Sequence, residues 1–341
     1  MTYVRPSMQG MWSSQDVLKI VPDRSRVRPG YLYAFLSSKY GVPLVVAGTY
    51  GAIIQHIEPE HVSAIEIPRL EDSIEKRIDE KISRAAKLRD KAQILLNQVS
   101  TEFDSIHPDL SSIGPRLGTT STVLSSEVQG RLDAEFHNPL VVKIRKTLSS
   151  GDSISIGEWC DSVFLPGIFK RIHVPGPESA ELYFTGYSLY WNEPEPKGYL
   201  SKITKLFRQV QLSEGMVLVQ AFGQEGGLTG KPVWVGKFLA GKTTTHMLVR
   251  LVVKDLSRAA VLFGFLNSRI AYNQIACLTY GGSIPHFDEA GIRTVLMPRL
   301  DDERAQSISR RVLEAVGARD EALGLELEAR REVEDTIAGA K

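Results

Sequence analysis

Apolar residues at positions 78, 82, 85, 88, 92, 95, 99 and 103 follow one another in steps of three and four, with charges filling many of the gaps. That spacing keeps one stripe on one helix face and predicts an amphipathic rod over residues 71–105. A second run, Ile308, Val312, Ala315, Ala318, Ala322, Leu325, Ala329, Val333 and Ile337, predicts another over 301–338. At about 1.5 Å per residue each rod is roughly 50 Å long, and its seam is most simply buried against the other. Alanines alternate with larger residues along the seam. Ile78, Ala85 and Ala92 facing Ile308, Ala315 and Ala322 would therefore let two antiparallel rods approach closely. Shorter patterns predict a strand at 17–21, a helix at 31–36, strands at 43–46, 53–54 and 65–67, and strands at 163–165, 182–184, 216–220, 233–235 and 247–253. Residues 107–122, rich in Ser, Gly, Pro and Thr, read as a linker.

The chain contains one stretch twice. Phe35-Leu36-Ser37-Ser38, Thr49-Tyr50-Gly51, His56 and Pro68-Arg69-Leu70-Glu71-Asp72 return as Phe265-Leu266-Asn267-Ser268, Thr279-Tyr280-Gly281, His286 and Pro298-Arg299-Leu300-Asp301-Asp302, always 230 positions later. A period this long is that of a duplicated domain, not of a solenoid. The expected organisation is an α/β portion at 1–70, a long helix at 71–105, a linker at 106–130, a complete α/β domain at 131–300 and a second long helix at 301–338. Residue 1 lies opposite residue 231, so residues 131–230 have no counterpart in the first copy. The first domain is expected to be partial, and 131–300 the only complete one.

Composition narrows the class. The chain has 341 residues, 43% hydrophobic and 24% charged, with a net charge of +1, which excludes wholesale disorder. Its two cysteines are too few for a disulfide framework or a zinc site, which suits the cytoplasm. No apolar run approaches the roughly 18 residues of a membrane span, and Met1 to Gly10 hold no signal-peptide core. Neither a cofactor nor a membrane partner is expected. The near-zero charge argues against a protein coated in nucleic acid, yet local basic patches survive averaging.

The order of each unit resembles the specificity subunit of type I restriction-modification systems: an α/β domain, a Phe-Leu-x-Ser helix, an apolar strand ending in Ile-Pro or Met-Pro, an acidic pair, then a long helix. Arg131-Leu132-Asp133-Ala134-Glu135-Phe136 is similar to that family's domain opening. Glu214-Gly215-Met216-Val217-Leu218-Val219 with Phe222-Gly223-Gln224 is similar to its strand and glycine turn. The resemblance implies an α+β protein of two α/β target-recognition-type domains, each followed by a long helix, with the helices paired as an antiparallel coiled coil. It also implies a non-catalytic reader of double-stranded DNA that docks methyltransferase subunits and, through them, a restriction subunit. A roughly 50 Å rod slightly exceeds one duplex turn of about 34 Å. With one complete domain, a single chain is expected to recognise one short undivided half-site.

Four constellations are candidates for DNA contact. Phe169-Lys170-Arg171-Ile172-His173 puts two cations, an aromatic and a histidine in a loop bounded by Pro-Gly pairs; a solvated loop is the alternative. Lys197, Lys202, Lys205 and Arg208 have no acidic residue between them and are accompanied by Tyr187, Tyr190, Trp191 and Tyr199, a strip that suits phosphates or mere solubility. Four glycines between Gly223 and Gly230 let backbone approach a ligand, with Gln224 able to read adenine and Lys231 beside it; a plain mobile turn competes. Pro232 after Gly230-Lys231 excludes a Walker loop. Lys242, Thr244 and His246 form the fourth, against a reading as an ordinary Thr-rich strand start. Tyr280, Gly281 and His286 recur in both copies and read as scaffold, and Asp72 and Asp302 as helix-start carboxylates. A different class, a nuclease or methyltransferase fragment, would use Glu195 and Lys197 with a metal, although Pro196 between them spoils the match. A third class is a coiled-coil assembly protein whose α/β domains bind protein.

Overall fold

The computed structural model describes residues 1–51, 56–110, 120, 122–128, 130–224 and 226–339. The chain forms two compact units, Met1–Gln93 with Ala318–Lys341, and Ile94–Gly317. The division falls inside both long helices, not at their ends, and residues 111–119, 121 and 129 of the expected linker lie outside the described residues.

The first unit contains α1 (Pro29–Leu36), α2 (Gly41–Ala47), α3 (Pro59–Ser63) and the first part of α4 (Asp72–Ile106). Pro29 opens α1 at a position where a missing N–H costs nothing. Tyr31, Ala34, Phe35 and Leu36 then bury against Ile78 and Ile82 of α4 and against Ala329 and Val333 of the C-terminal helix. Gly30 permits that approach: its amide donates to Asp79 Oδ1 at 2.6 Å, and a Cβ there would lie 2.9 Å from the Asp79 Cα. Along the two long helices of this unit, Arg77 pairs with Glu332, Lys81 with Glu328 and Glu332, and Arg84 with Glu321. From Arg77 to Arg84 the partner numbers fall as the α4 number rises, whereas Arg89 reaches back to Glu326. Behind these exposed pairs Arg89 and Glu326 are joined out of solvent, with side chains only 6% and 9% exposed and Arg89 Nε donating to Glu326 Oε1 at 2.8 Å. Glu75 is another buried carboxylate. Burial works to raise its pKa, but hydrogen bonds from Arg69 and from the Leu70 amide outweigh it and hold the group below the usual range.

Several short expectations for this unit fail. Residues 17–21 are irregular, with Val17, Leu18, Ile20 and Val21 exposed, and no strand among the described residues pairs with them. Residues 43–46 belong to α2; four apolar residues carry too little periodicity to separate strand from buried helix, and Pro43 is tolerated in the first turn. The 53–54 strand falls outside the described residues. Residues 65–67 are irregular and form no ladder among the described residues. Asp72 and Asp302 do stand in the first turns of their helices, as expected; Asp72 accepts from Arg28, and Asp301 receives the Arg304 amide.

After the last part of α4, the second unit continues with α5 (Pro139–Ser150), started by the Asn138 side chain accepting from the Leu140 amide. β1 (Ser153–Ser155), α6 (Ile156–Trp159), β2 (Ser162–Phe164), β3 (His173–Val174), β4 (Ala180–Phe184), β5 (Pro196–Ser201) and α7 (Phe207–Val210) follow. Next come β6 (Val217–Gln220), β7 (Pro232–Trp234), β8 (Thr243–Thr244) and β9 (Leu248–Val252). Then α8 (Leu256–Leu266), α9 (Arg269–Ala276), α10 (Glu289–Arg293) and β10 (Leu296–Pro298) lead into α11 (Asp302–Gly339). One sheet is antiparallel, ordered β2-β9-β6-β7; a second, β3-β5-β4-β8, ends in the parallel β4/β8 pair; β1 pairs with β10. The five strands expected in this unit are β2, β4, β6, β7 and β9, each within two residues of its expected bounds. β6 is central and buried along its length, which explains its unbroken apolar run.

The repeat is structural as well as sequential. α3 and α10 begin and end 230 positions apart, α4 and α11 begin 230 apart, and the Tyr50–His56 bridge returns as Tyr280–His286. Residues 65–67 stand where the β10 region stands in the second copy, and the partner of β10, β1, belongs to the stretch without a counterpart. A segment lacking a partner forms no ladder. In the second unit α8 packs through Gly264, where a Cβ would lie 2.7 Å from Val99 of α4, and Phe265 meets Phe103 edge-on at 5.5 Å.

Removing one member of the buried Arg89–Glu326 pair takes from the other buried charge its opposite partner across the helices. Arg89→Ala or Glu326→Ala should therefore cost about 3–5 kcal/mol in urea unfolding, while the combined Arg89→Met, Glu326→Leu change should be close to neutral. Single variants within about 0.5 kcal/mol of the parent protein would contradict this assignment.

Candidate nucleic-acid interface

Members of all four basic or glycine-rich constellations converge around Phe169 of the second unit. Phe169 is buried with Tyr183, Leu200, Phe207 and Val210. This packing sets Lys170 and Arg171 beside α7, which carries Arg208 and follows Lys205. From Phe169 a line of rings continues: Phe169 to His246 at 6.1 Å, His246 to Phe222 at 6.1 Å, Phe222 stacked on His286 at 4.9 Å with 4° between planes, and His286 to Tyr280 at 4.6 Å. The loop after β2, the segment before β9, the glycine turn and the repeated hairpin thus meet, although up to about 120 residues separate them in sequence.

Lys170, Arg171, His173, Lys205, Arg208 and Gln224 are exposed. Arg171 is aimed by its Nε, which donates to Tyr183 Oη at 2.7 Å, and by the faces of Phe169 and Tyr183 at 5.7 and 5.5 Å. His173 packs edge-on against Tyr183 at 5.4 Å. Lys202 is exposed too, but it is paired with Glu181 at 3.1 Å and is a weaker candidate for phosphate. Lys231 lies over the Tyr272 ring at 4.3 Å, on the α9 side of the glycine turn.

Two expected contacts point the wrong way. Thr244 is fully buried, its hydroxyl donating to the Phe184 carbonyl at 3.0 Å, because β8 is an inner-facing strand beside β4. Lys242 bends back to the Phe238 carbonyl and lies over the Phe238 ring, with burial lowering its pKa. Neither presents a group to a ligand in this arrangement.

Sequence reasoning passed over three groups. Arg250, fully buried in β9, is held by the Thr245 and Leu248 carbonyls, and burial brings its pKa down to about 9, so it remains a cation at neutral pH. A lone arginine inside an apolar strand was the available signal. Arg131 ties the domain opening to the repeated Thr-Tyr-Gly motif: it bonds Asp133, donates to the Leu278 and Thr279 carbonyls at 2.7 and 2.9 Å, and lies over Phe136 and Tyr280. Its hydrogen bonds hold the Asp133 carboxyl below the ordinary range. The Phe222–His286 stack is the third, hidden because its members are 64 positions apart.

Glu195 and Lys197, the candidate nuclease pair, are exposed at the start of β5. Among the described residues no group of three His, Cys, Asp or Glu side chains could hold a metal. No helix among them is long and apolar enough to cross a membrane. The arrangement offers cations, aromatic faces and an exposed side-chain amide on a common surface, a set suited to a polyanion with readable edges.

No protein-family model and no curated protein matches the sequence. Among solved structures the chain is similar to the S subunit of a type I restriction-modification system from M. genitalium, at 13% identity over 93% of this chain and 72% of that one, with a TM-score of 0.36. It is also similar to the HsdS subunit from Thermoanaerobacter tengcongensis, at 14% identity over 89% and 67%, with a TM-score of 0.33. At these scores neither likeness carries the functional reading, which rests on this chain's own residues.

The His246 Nδ1 is buried without a partner among the described residues, and burial, then Arg171 and Arg250, lower the pKa of the ring. A depressed histidine pKa means that the unfolded chain takes up the proton first. The contribution to stability is whole above the ordinary value of 6.5 and is lost as pH falls below it toward the lower folded value. Between about pH 7.5 and 5.5, His246→Gln should lose less unfolding free energy than the parent protein; parallel losses would contradict the assignment.

Proposed function

We propose that the chain is a sequence-specific DNA-recognition subunit of a type I restriction-modification complex, without catalysis of its own, that directs methyltransferase subunits and a restriction subunit to a target. The observation that carries this reading is the convergence of Lys170, Arg171, Lys205, Arg208, His246 and the glycine turn on one aromatic-lined surface of the second unit. Cations there release counterions from phosphates, and the turn supplies the contact to base edges. The long helices form the antiparallel coiled coil on which the partner subunits dock. Burial of Ile78, Ala85, Ala92, Ile308, Ala315 and Ala322, each fully out of solvent, supports that role, as do the oppositely running ion pairs.

Binding is tested by fluorescence anisotropy with random duplexes, with and without the methyltransferase partner. Replacing Lys170, Lys205 and Arg208 together by Ala should weaken binding to every sequence alike. The slope of log affinity against log salt should become shallower by about 0.9 for each phosphate that is no longer neutralised. A changed sequence preference would assign these residues to base reading, and no binding in either state would overturn the proposal.

A further inference from the structure

The glycine turn is seated on the repeated hairpin, and this seat fixes what its tip can do. Phe222 and His286 form an antiparallel bridge, the Gly223 amide donates to the Pro285 carbonyl at 3.0 Å, and the Phe287 amide donates to the Ala221 carbonyl at 3.2 Å. Above the backbone the Phe222 and His286 rings lie parallel, and His286 is itself bridged to Tyr280. The far end is anchored by the Gly230 amide donating to the Gln220 carbonyl at 2.8 Å. Gly223 has φ +139°, and a Cβ there would meet Thr229 Oγ1 at 2.8 Å, so a side chain at this position displaces the turn. Between these anchors the Gln224 carbonyl accepts the Gly227 amide at 3.2 Å. The Gln224 side chain is exposed and makes no hydrogen bond among the described residues.

We propose that Gln224 is a base-reading residue that recognises an adenine in the major groove, and that His286 is the positioning residue that holds it in register. This inference rests on the DNA-binding reading above. A side-chain amide offers one acceptor and one donor at fixed separation, matching the N6–H donor and N7 acceptor of adenine; guanine presents two acceptors there and leaves one half of the amide unmatched. The neighbouring exposed groups, Lys170, Arg171, Lys205 and Arg208, are cations suited to phosphates. The neutral amide on the anchored turn is the group that discriminates.

Selection of duplexes from a random pool by the full chain, in complex with its methyltransferase partner if binding requires it, first defines the preferred sequence. Gln224→Ala should then lose the preference at one adenine, about 10- to 100-fold for the selected duplex, with a far smaller change for random duplex. Replacing that adenine by 7-deazaadenine, which lacks the N7 acceptor, should weaken binding by the parent protein and make no further difference to Gln224→Ala. His286→Ala should relax the same position, whereas His286→Phe, which keeps a ring under Phe222, should retain it. Thermal unfolding of each variant separates misfolding from lost reading. Unchanged adenine preference in Gln224→Ala overturns this assignment alone, as does an equal loss for random and selected duplexes. Failure of the parent protein to select any sequence overturns the DNA-reading proposal and this one with it.

Discussion

An apolar stripe running the length of a 35-residue helix cannot stay in water, and the fold is arranged around its burial. In the first unit the stripe is met by Tyr31, Phe35 and Leu36 of α1 and by Ala329 and Val333. In the second it is met by α8, at Gly264 and Phe265. Each fully buried isoleucine or phenylalanine contributes about 1.5–3 kcal/mol relative to exposure. A stripe holding Ile78, Ile82, Val99 and Phe103 therefore outweighs any single surface ion pair along its flank, since such pairs supply about 1 kcal/mol at most. The charges set direction and register; the seam supplies the stability.

Duplication placed the same motif in two surroundings, and the differences show which residues answer to their neighbours. Tyr280 and His286 are flanked by Arg131 and Phe222. Their counterparts Tyr50 and His56 form the same bridge, and Tyr50 donates to Glu58 as Tyr280 donates to Asp288 at the same register. Arg69 is held by the buried Glu75, whereas Arg299 reaches Asp152 and the residue at the Glu75 register is Ala305. Identical residues in the two copies thus preserve the hairpin, and the non-identical ones decide what the hairpin supports. In the second unit it supports a glycine turn.

The long helices were legible because a three-and-four rhythm sustained over some nine turns has no competing explanation. The strands of the second unit were legible where apolar runs were closed by Gly or Pro, as at Met216 to Gln220. Short runs failed in the first unit for a physical reason: Pro43 to Val46 and Ile65 to Ile67 carry the composition of strands, but a strand exists only with a partner. At the candidate interface the residue types were visible and their directions were not. Lys170 and Gln224 face solvent while Thr244 and Lys242 turn inward, and that outcome is set by β4 pairing with β8 across some sixty residues. The gathering of rings around His246 depends on contacts of the same long range.

The overall charge of +1 conceals an uneven distribution with functional weight. Carboxylates along the long helices are engaged with arginines and lysines: Glu321, Glu326, Glu328, Glu332 and, in the second unit, Glu102 with Arg311. Their fields largely cancel within a few ångströms. Lys170, Lys205 and Arg208, by contrast, stand exposed and form no ion pair among the described residues, and Arg250 adds a charge behind them that burial does not remove at neutral pH. A buried cation is screened less by salt than an exposed one, so Arg250 sustains a positive potential at this surface when the outer lysines are already shielded. The positive potential at this surface therefore comes from where the neutralising acids are absent, and a chain of near-zero net charge carries it without being basic as a whole.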